Sequence, residues 1–244
     1  MATLALARQQ KDRLFHTGMS LVVAAVVFAG FARTYYLSHW LPPPARVPPM
    51  TPLLHIHAFF FTLWIIITMV QPVLIAGGQR QLHRRFGWFA AAVAFGVWVL
   101  GNVVSAQSMR IGYRTLGDPY AFYTVTFFSM QAFGLIVLAA ILKRRDAETH
   151  KRLMLLSSAA ILEAAVGRIP LRLIEVTAPT SFYVGSELII LAGLLYDKAT
   201  RGRIHPVWIW GGGALVASQL FRIAIMNSEP WLAFARAVSN IAGP

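Results

Sequence analysis

Residues 55–75 read HIHAFFFTLWIIITMVQPVLI, a stretch of 21 residues without lysine, arginine, aspartate or glutamate. A helix rises about 1.5 Å per residue, so this stretch covers the roughly 30 Å hydrocarbon core of a bilayer. Because the hydrocarbon core offers no water to hydrogen-bond the backbone, a single segment crosses it as a helix, which satisfies its own N–H and C=O groups. The stretch therefore predicts a transmembrane helix.

Apolar segments of this kind recur along the chain and indicate one helical membrane domain over residues 1–244. The sequence is 57% hydrophobic and 13% charged, whereas a soluble domain carries about 25% charged residues. The absence of cysteine excludes disulfides, zinc–thiolate sites and cysteine nucleophiles. We expect an all-α bundle of seven transmembrane helices, the sixth short for a crossing. They lie near residues 17–37, 55–75, 86–105, 122–142, 153–176, 182–196 and 207–226.

The lysines and arginines predict the orientation of this bundle. The segments before helix 1 and after helices 2, 4 and 6 carry 14 of them, and the other four connections carry four. Because basic residues accumulate on the cytoplasmic side, we expect a bacterial inner-membrane protein with its N-terminus inside and its C-terminus outside. The same bias accounts for the formal charge of +13, so the expected partner is the lipid bilayer and not nucleic acid.

Three predicted helices begin just after a histidine on the cytoplasmic side, namely His83, His150 and His205. The helix dipole and neighbouring cations disfavour a protonated imidazole there, so neutral histidines are expected. Asp197 lies in one of these loops, and three imidazoles with a carboxylate suit zinc, iron or copper. The set predicts a metal site if helices 3, 5 and 7 meet. The alternative is that these are ordinary residues of a membrane interface.

Ionisable side chains inside the predicted spans form a second candidate set, towards the outer side. Charges within a bilayer are costly, so each is a hypothesis for a functional site. The candidates for cofactor binding are His55 and His57 on helix 2, Arg168 and Arg172 on helix 5, Glu187 on helix 6 and Arg222 on helix 7. The surplus of arginine favours an anionic group such as a haem propionate, a lipid phosphate or a carboxylate.

Helix 5 carries most of this charge. At 100° per residue, Arg168, Arg172 and Glu175 share one face. Glu163 points away from that face, and Pro170 predicts a kink. The alternative to a bound ligand is an ion pair between one of these arginines and Glu175 or the glutamate of helix 6, which would only hold the helices together.

Two short motifs resemble those of uncharacterised bacterial polytopic membrane proteins. Residues 150–154 read HKRLM and are followed by Arg168, and residues 82–87 read LHRRFG. The resemblance implies a fold of about seven helices and marks His57, His83, His150 and Arg168 as residues of interest. It implies no established activity, although some neighbouring families are associated with haem or with cytochrome oxidase assembly.

Three functions fit these observations. The favoured one is a redox-related protein that binds haem b or a transition metal through histidine, with a quinone nearby. The second is a binding or transport protein for an anionic lipid or small acid. The third is an accessory or assembly subunit of a larger membrane complex. No serine elbow, HExxH or phosphate-loop motif supports a hydrolase.

Overall fold

The computed structural model describes residues 2–42, 50–111 and 117–241, with side chains from residue 10 onward, and this part of the chain contains helices and no strand. Five helices are long and apolar enough to cross a membrane. They cover Gln10–Tyr36, Pro52–Ala76, Arg80–Arg110, Pro119–Leu142 and Val207–Ile225. The predicted all-α architecture is confirmed at this level, and helices 1 to 4 and 7 form where the hydropathy places them.

The elements follow one another along the chain as helices joined by short connections. They are α1 (Ala2–Phe31, continued by a π-helical turn Ala32–Tyr36), α2 (Pro52–Ala76), α3 (Arg80–Arg110), α4 (Pro119–Leu142), α5 (Ala147–Ala160), α6 (Glu163–Val166), α7 (Arg172–Val176), α8 (Val184–Arg201), α9 (Gly213–Ile225, preceded by π-helical Val207–Gly212) and α10 (Glu229–Ile241). Side chains cap several N-termini. Thr51 accepts from the Leu54 amide at α2, and Asp146 accepts from the amides of Glu148 and Thr149 at α5.

The prediction of one continuous helix over 153–176 is wrong. The hydroxyls of Ser157 and Ser158 both donate to the Met154 carbonyl, and such back-bonding competes with the helix ladder and bends it. α5 then ends at Ala160, and only the short α6 and α7 follow. Pro170 lies between these two, where its missing N–H and its effect on the preceding residue keep the chain from resuming a helix.

The broken segment nevertheless runs from one end of the bundle to the other. Near its start, Lys151 pairs with Asp12 of α1 at 2.9 Å. Past its far end, the ring of Phe182 lies 6.2 Å from that of Phe122 in α4. α8 then runs back to the end at which α5 begins, as shown by the ion pair between Asp197 near the C-terminus of α8 and Arg152 of α5. We call the end that holds Phe122 the outer end, after the predicted orientation, and the opposite end the inner end.

Close helix packing depends on small residues. A Cβ on Gly30 would lie 2.2 Å from the Ala165 carbonyl oxygen, so α1 touches the backbone of α6 there. A Cβ on Gly193 would lie 2.3 Å from the ring of Trp208, which is 2% exposed. Small residues bring membrane helices close enough for van der Waals packing, which replaces the missing hydrophobic driving force in lipid.

The C-terminal tail, which the sequence analysis left outside the helices, forms α10. Trp231 and Ala235 are buried against α3 and α4, and the Trp231 Nε1 donates to the Tyr120 carbonyl at 3.0 Å. At 13 residues α10 is too short to cross a bilayer. It lies at the outer end, beside the start of α4.

Candidate functional site

A cavity of about 510 Å³ opens at the outer end of the bundle. The ends of α1 and α3, the starts of α2 and α4, and the broken segment all contribute to its wall. Most of this wall is apolar or aromatic, and it includes Phe31, Phe61, Val104, Phe122 and Met130. The cavity therefore has the size and character of a site for a small organic ligand.

His57 lines this cavity, whereas His55 does not. The His57 Nδ1 is buried and has no hydrogen-bond partner in the part of the chain that the structure describes. Its ring lies 4.2 Å from that of Phe61. His55 is exposed, with its ring 6.0 Å from Tyr35. The two histidines separate because two residues along a helix amount to about 200°.

Arg168 also lines the cavity and is partly buried. Its Nη1 donates to the Ala164 carbonyl at 2.5 Å, and its guanidinium lies 4.6 Å from the centre of the Phe31 ring. Within the described residues, no carboxylate lies within ion-pair distance of it. Glu175 borders the same cavity but is exposed. The position of Arg168 leaves most of its guanidinium donors available to a ligand.

Arg172 and Glu187 are exposed and do not line the cavity. The expected pairs of helix-5 arginines with Glu175 or Glu187 are not formed among the residues described. The structure thus places two of the six predicted cofactor-binding residues, His57 and Arg168, on the cavity wall.

The buried charge pair of this region joins Arg222 to Glu163. The sequence predicted that Glu163 points away from the face of helix 5 that carries Arg168. The Arg222 Nη1 donates to both Glu163 carboxylate oxygens, at 3.2 and 3.0 Å, and to the Ser129 hydroxyl at 2.9 Å. Glu163 and Ser129 line the cavity, and Arg222 lies behind them with no exposed surface. The orientation of Glu163 was predicted wrongly because the helix breaks after Ala160. A rotation of 100° per residue holds only within one continuous helix.

At the inner end, the structure brings two of the predicted metal ligands together. The rings of His83 and His150 lie 6.4 Å apart, and the His150 Nδ1 is 2.8 Å from the Ala140 carbonyl oxygen. His205 lies next to Asp197, whose Oδ2 accepts the His205 backbone amide at 3.3 Å, and the His205 Nδ1 accepts the Val207 amide. In the described ranges no group of three or more histidine, aspartate or glutamate side chains is arranged to hold a metal ion. The four predicted ligands therefore do not meet as one centre.

Asp197 belongs instead to a balanced charge network. Asp12, Glu148 and Asp197 face Lys151, Arg152 and Arg201, which ties α1, α5 and α8 together. Arg152 and Asp197 are each 1% exposed and form the centre of this network. The sequence showed these charges but not their pairing, which depends on how the helices are rotated.

The network shifts the pKa of Glu148, one of its members, and burial together with the network shifts the pKa of the neighbouring His205. Burial acts to raise the pKa of Glu148, but hydrogen bonds from Lys151 and Arg152 outweigh it and lower that pKa to about 2. Burial, and then the charge of Arg152, lowers the pKa of His205. The neutral imidazole expected at this position follows from these two effects.

No protein-family profile, curated protein or solved structure matches this chain. The resemblance suggested by the motifs at residues 82–87 and 150–154 stays a prediction.

Proposed function

We propose that this chain is a membrane protein of seven crossings whose outer cavity binds an amphipathic ligand with an anionic head group. The observation that carries the proposal is a largely apolar cavity with one partly buried cation, Arg168, that has no carboxylate partner among the described residues. This combination matches a ligand with an apolar body and one negative charge.

The apolar wall supports the body of such a ligand. A volume of about 510 Å³ accommodates an alkyl chain or a small ring system. Each methylene moved from water into an apolar site contributes about 0.8 kcal/mol. A chain of about ten carbons would thus gain a large part of its binding free energy from contacts with residues such as Phe31, Phe61 and Met130.

Arg168 supports the head group. Among the described residues only its Nη1 has an acceptor, the Ala164 carbonyl, so the Nε and Nη2 donors are available to hold a carboxylate or phosphate. The guanidinium also makes a cation–π contact with the Phe31 ring, whose centre is 4.6 Å away. Glu175 is exposed, so water and salt screen its opposing charge more than they screen Arg168.

The number of crossings is supported by the path of the chain between the five long helices. Residues 147–182 connect the inner end to the outer end, as the contacts of Lys151 and Phe182 indicate. α8 has 18 residues and a length of about 27 Å, close to the hydrocarbon thickness. The basic inner connections support a bacterial inner membrane with the cavity on its outer side.

The test is binding of 11-(dansylamino)undecanoic acid to the protein in lipid nanodiscs, read by energy transfer from its tryptophans. Unlabelled undecanoate should displace the specific signal. Arg168→Ala should weaken binding about tenfold or more, because a hydrogen bond to a charged group contributes about 1.5–3 kcal/mol and 1.4 kcal/mol is a factor of ten.

Arg172→Ala is the matched control, because it removes an exposed arginine of the same segment that does not line the cavity. It should leave the affinity unchanged. A dansyl undecanoate methyl ester, which lacks the charge, should bind wild type about as weakly as the acid binds Arg168→Ala. Equal losses in both arginine variants, or a signal that undecanoate does not displace, would refute the proposal.

A second candidate ligand is haem, favoured by the buried Nδ1 of His57. His57 lines the same cavity, its Nδ1 has no hydrogen-bond partner in the described chain, and one imidazole is enough to hold haem iron. Arg168 would then hold a propionate. A reduced-minus-oxidised visible spectrum of the purified protein tests this: a Soret band that His57→Ala abolishes and His55→Ala preserves would support it, and a colourless protein would remove it.

A further inference from the structure

Behind the cavity lies a buried polar centre made by four elements of the bundle. Its members are Ser129 of α4, Glu163 of α6, Tyr183 and Ser186 at the start of α8, and Gln219 and Arg222 of α9. Each is less than a tenth exposed. Charged groups at such a position are costly and are retained mainly where they serve a function. The centre reaches the cavity through Glu163 and Ser129.

The pairing within this centre is incomplete. The Arg222 Nη1 serves both oxygens of Glu163 and the Ser129 hydroxyl, while the Nη2 has no hydrogen-bond partner among the described residues. The same is true of the Tyr183 hydroxyl and the Gln219 Oε1. A purely structural arginine–carboxylate pair would use two nitrogens in a fork, and buried polar groups are normally satisfied. The centre therefore holds spare hydrogen-bonding capacity around its charges.

We propose that Glu163 takes up one proton when an anionic ligand enters the outer cavity. This inference rests on the proposed binding function. Glu163 borders the cavity, so an anion bound there would add a second negative charge to the same poorly solvated space. Like charges in such a site favour protonation of one of them. The proton comes from the outer solution, so one ligand anion and one proton enter together and the charge of the site is conserved.

The surroundings of Glu163 leave few other groups to accept that proton. Arg222 from α9 pairs with it, and Tyr183 packs beneath Arg222, with its ring centre 5.7 Å from the guanidinium. The cavity wall adds the charged or titratable groups of Tyr35, Tyr36, His57, Tyr123, Arg168 and Glu175. Of these, the His57 imidazole and the Glu175 carboxylate are the alternative proton acceptors, and Glu175 is exposed, so water screens it most from the charge of the ligand.

After protonation, the site keeps its hydrogen bonds. A neutral Glu163 still accepts from Arg222, and its new O–H donates to the ligand or to a nearby acceptor. Arg222 retains Ser129 and also donates through Nε to the Ser218 hydroxyl at 3.3 Å. The arginine then carries a positive charge that the neutral glutamic acid no longer balances, and it lies directly behind the cavity wall formed by Glu163 and Ser129. This positive charge on Arg222 offsets the negative charge of the bound ligand.

The experiment is titration calorimetry with 1-decanesulfonate and the nanodisc protein at pH 7, in phosphate and in Tris. The sulfonate stays ionised, so any proton taken up belongs to the protein, and the buffer dependence of the enthalpy counts it. We expect about one proton per ligand for wild type and for Glu187→Gln, an exposed matched control. We expect close to none for Glu163→Gln, with the ligand still bound.

The outcomes separate this inference from the proposed function. No binding of decanesulfonate to wild type would overturn both. Binding without proton uptake, or uptake that survives Glu163→Gln and disappears in His57→Phe, would overturn the inference alone. If Glu163→Gln does not fold, the pH dependence of the wild-type affinity for decanesulfonate provides the test. The affinity should fall by up to tenfold for each unit that the pH is raised, and an affinity independent of pH would refute proton coupling.

Discussion

Gly30→Ala should destabilise the protein through the contact between α1 and the broken segment. A Cβ at this position would lie 2.2 Å from the Ala165 oxygen and 2.7 Å from its carbonyl carbon. Real Cβ contacts keep about 3.0 Å, so the two backbones must separate by roughly 0.8 Å. No rotamer change relieves a clash with backbone, and overpacking of this kind costs about 1–3 kcal/mol.

The matched control is Gly18→Ala, on the same helix, because a Cβ there would have no atom of the described residues within 4 Å. Both variants gain the same helix propensity of about 1 kcal/mol, so their difference isolates the clash. In thermal unfolding followed by tryptophan fluorescence, Gly30→Ala should melt about 2–10 °C below Gly18→Ala. Equal melting temperatures would mean that α1 and the segment around Ala165 do not touch as described.

The other two stability predictions concern the inner network. Asp197→Asn should cost about 3–5 kcal/mol in the same unfolding assay, because it leaves the buried Arg152 guanidinium without its main partner; a cost no larger than that of the exposed Glu187→Gln would show that the pair is not buried. The pKa of Glu148 is lowered from 4.5 to about 2, so the stability that it contributes is present above about pH 4.5 and is lost as the pH falls towards 2. Wild type should therefore lose more melting temperature between pH 5 and pH 3 than Glu148→Gln does, and parallel losses would contradict this role.

Hydropathy located the long helices because each residue of a crossing has to be apolar or paired. The segment 52–76 is an example, since its composition alone excludes a water-exposed helix or loop. The ends were less accurate because they depend on local caps. α8 continues to Arg201, past the predicted Tyr196, and it ends where Gly202 adopts a left-handed conformation with φ of 69°.

The sequence allowed individual residues of the candidate site to be identified, but it did not reveal how helix packing arranges them. His57 and Arg168 were identified because ionisable groups in apolar segments are unusual, and both line the cavity. The position of Glu163 was predicted wrongly because the helix breaks just before it and the break changes its orientation. We attribute the break to the hydrogen bonds that Ser157 and Ser158 donate to the Met154 carbonyl, which a hydropathy analysis does not detect. The amphipathic α10 was missed because its 13 residues are too few for a crossing, which is the pattern that the hydropathy analysis detects.

The direct test of the cavity as a ligand site is photo-crosslinking with an undecanoic acid that carries a diazirine near its methyl end. After illumination in nanodiscs, we expect label in peptides that cover residues 57–65, 101–109 and 122–130, and we expect excess undecanoate to prevent this labelling. The label should persist in Arg172→Ala and fall in Arg168→Ala. Label confined to outward-facing residues such as Phe95 and Leu135, and unaffected by excess undecanoate, would show that the acid dissolves in the lipid and that the cavity does not bind it.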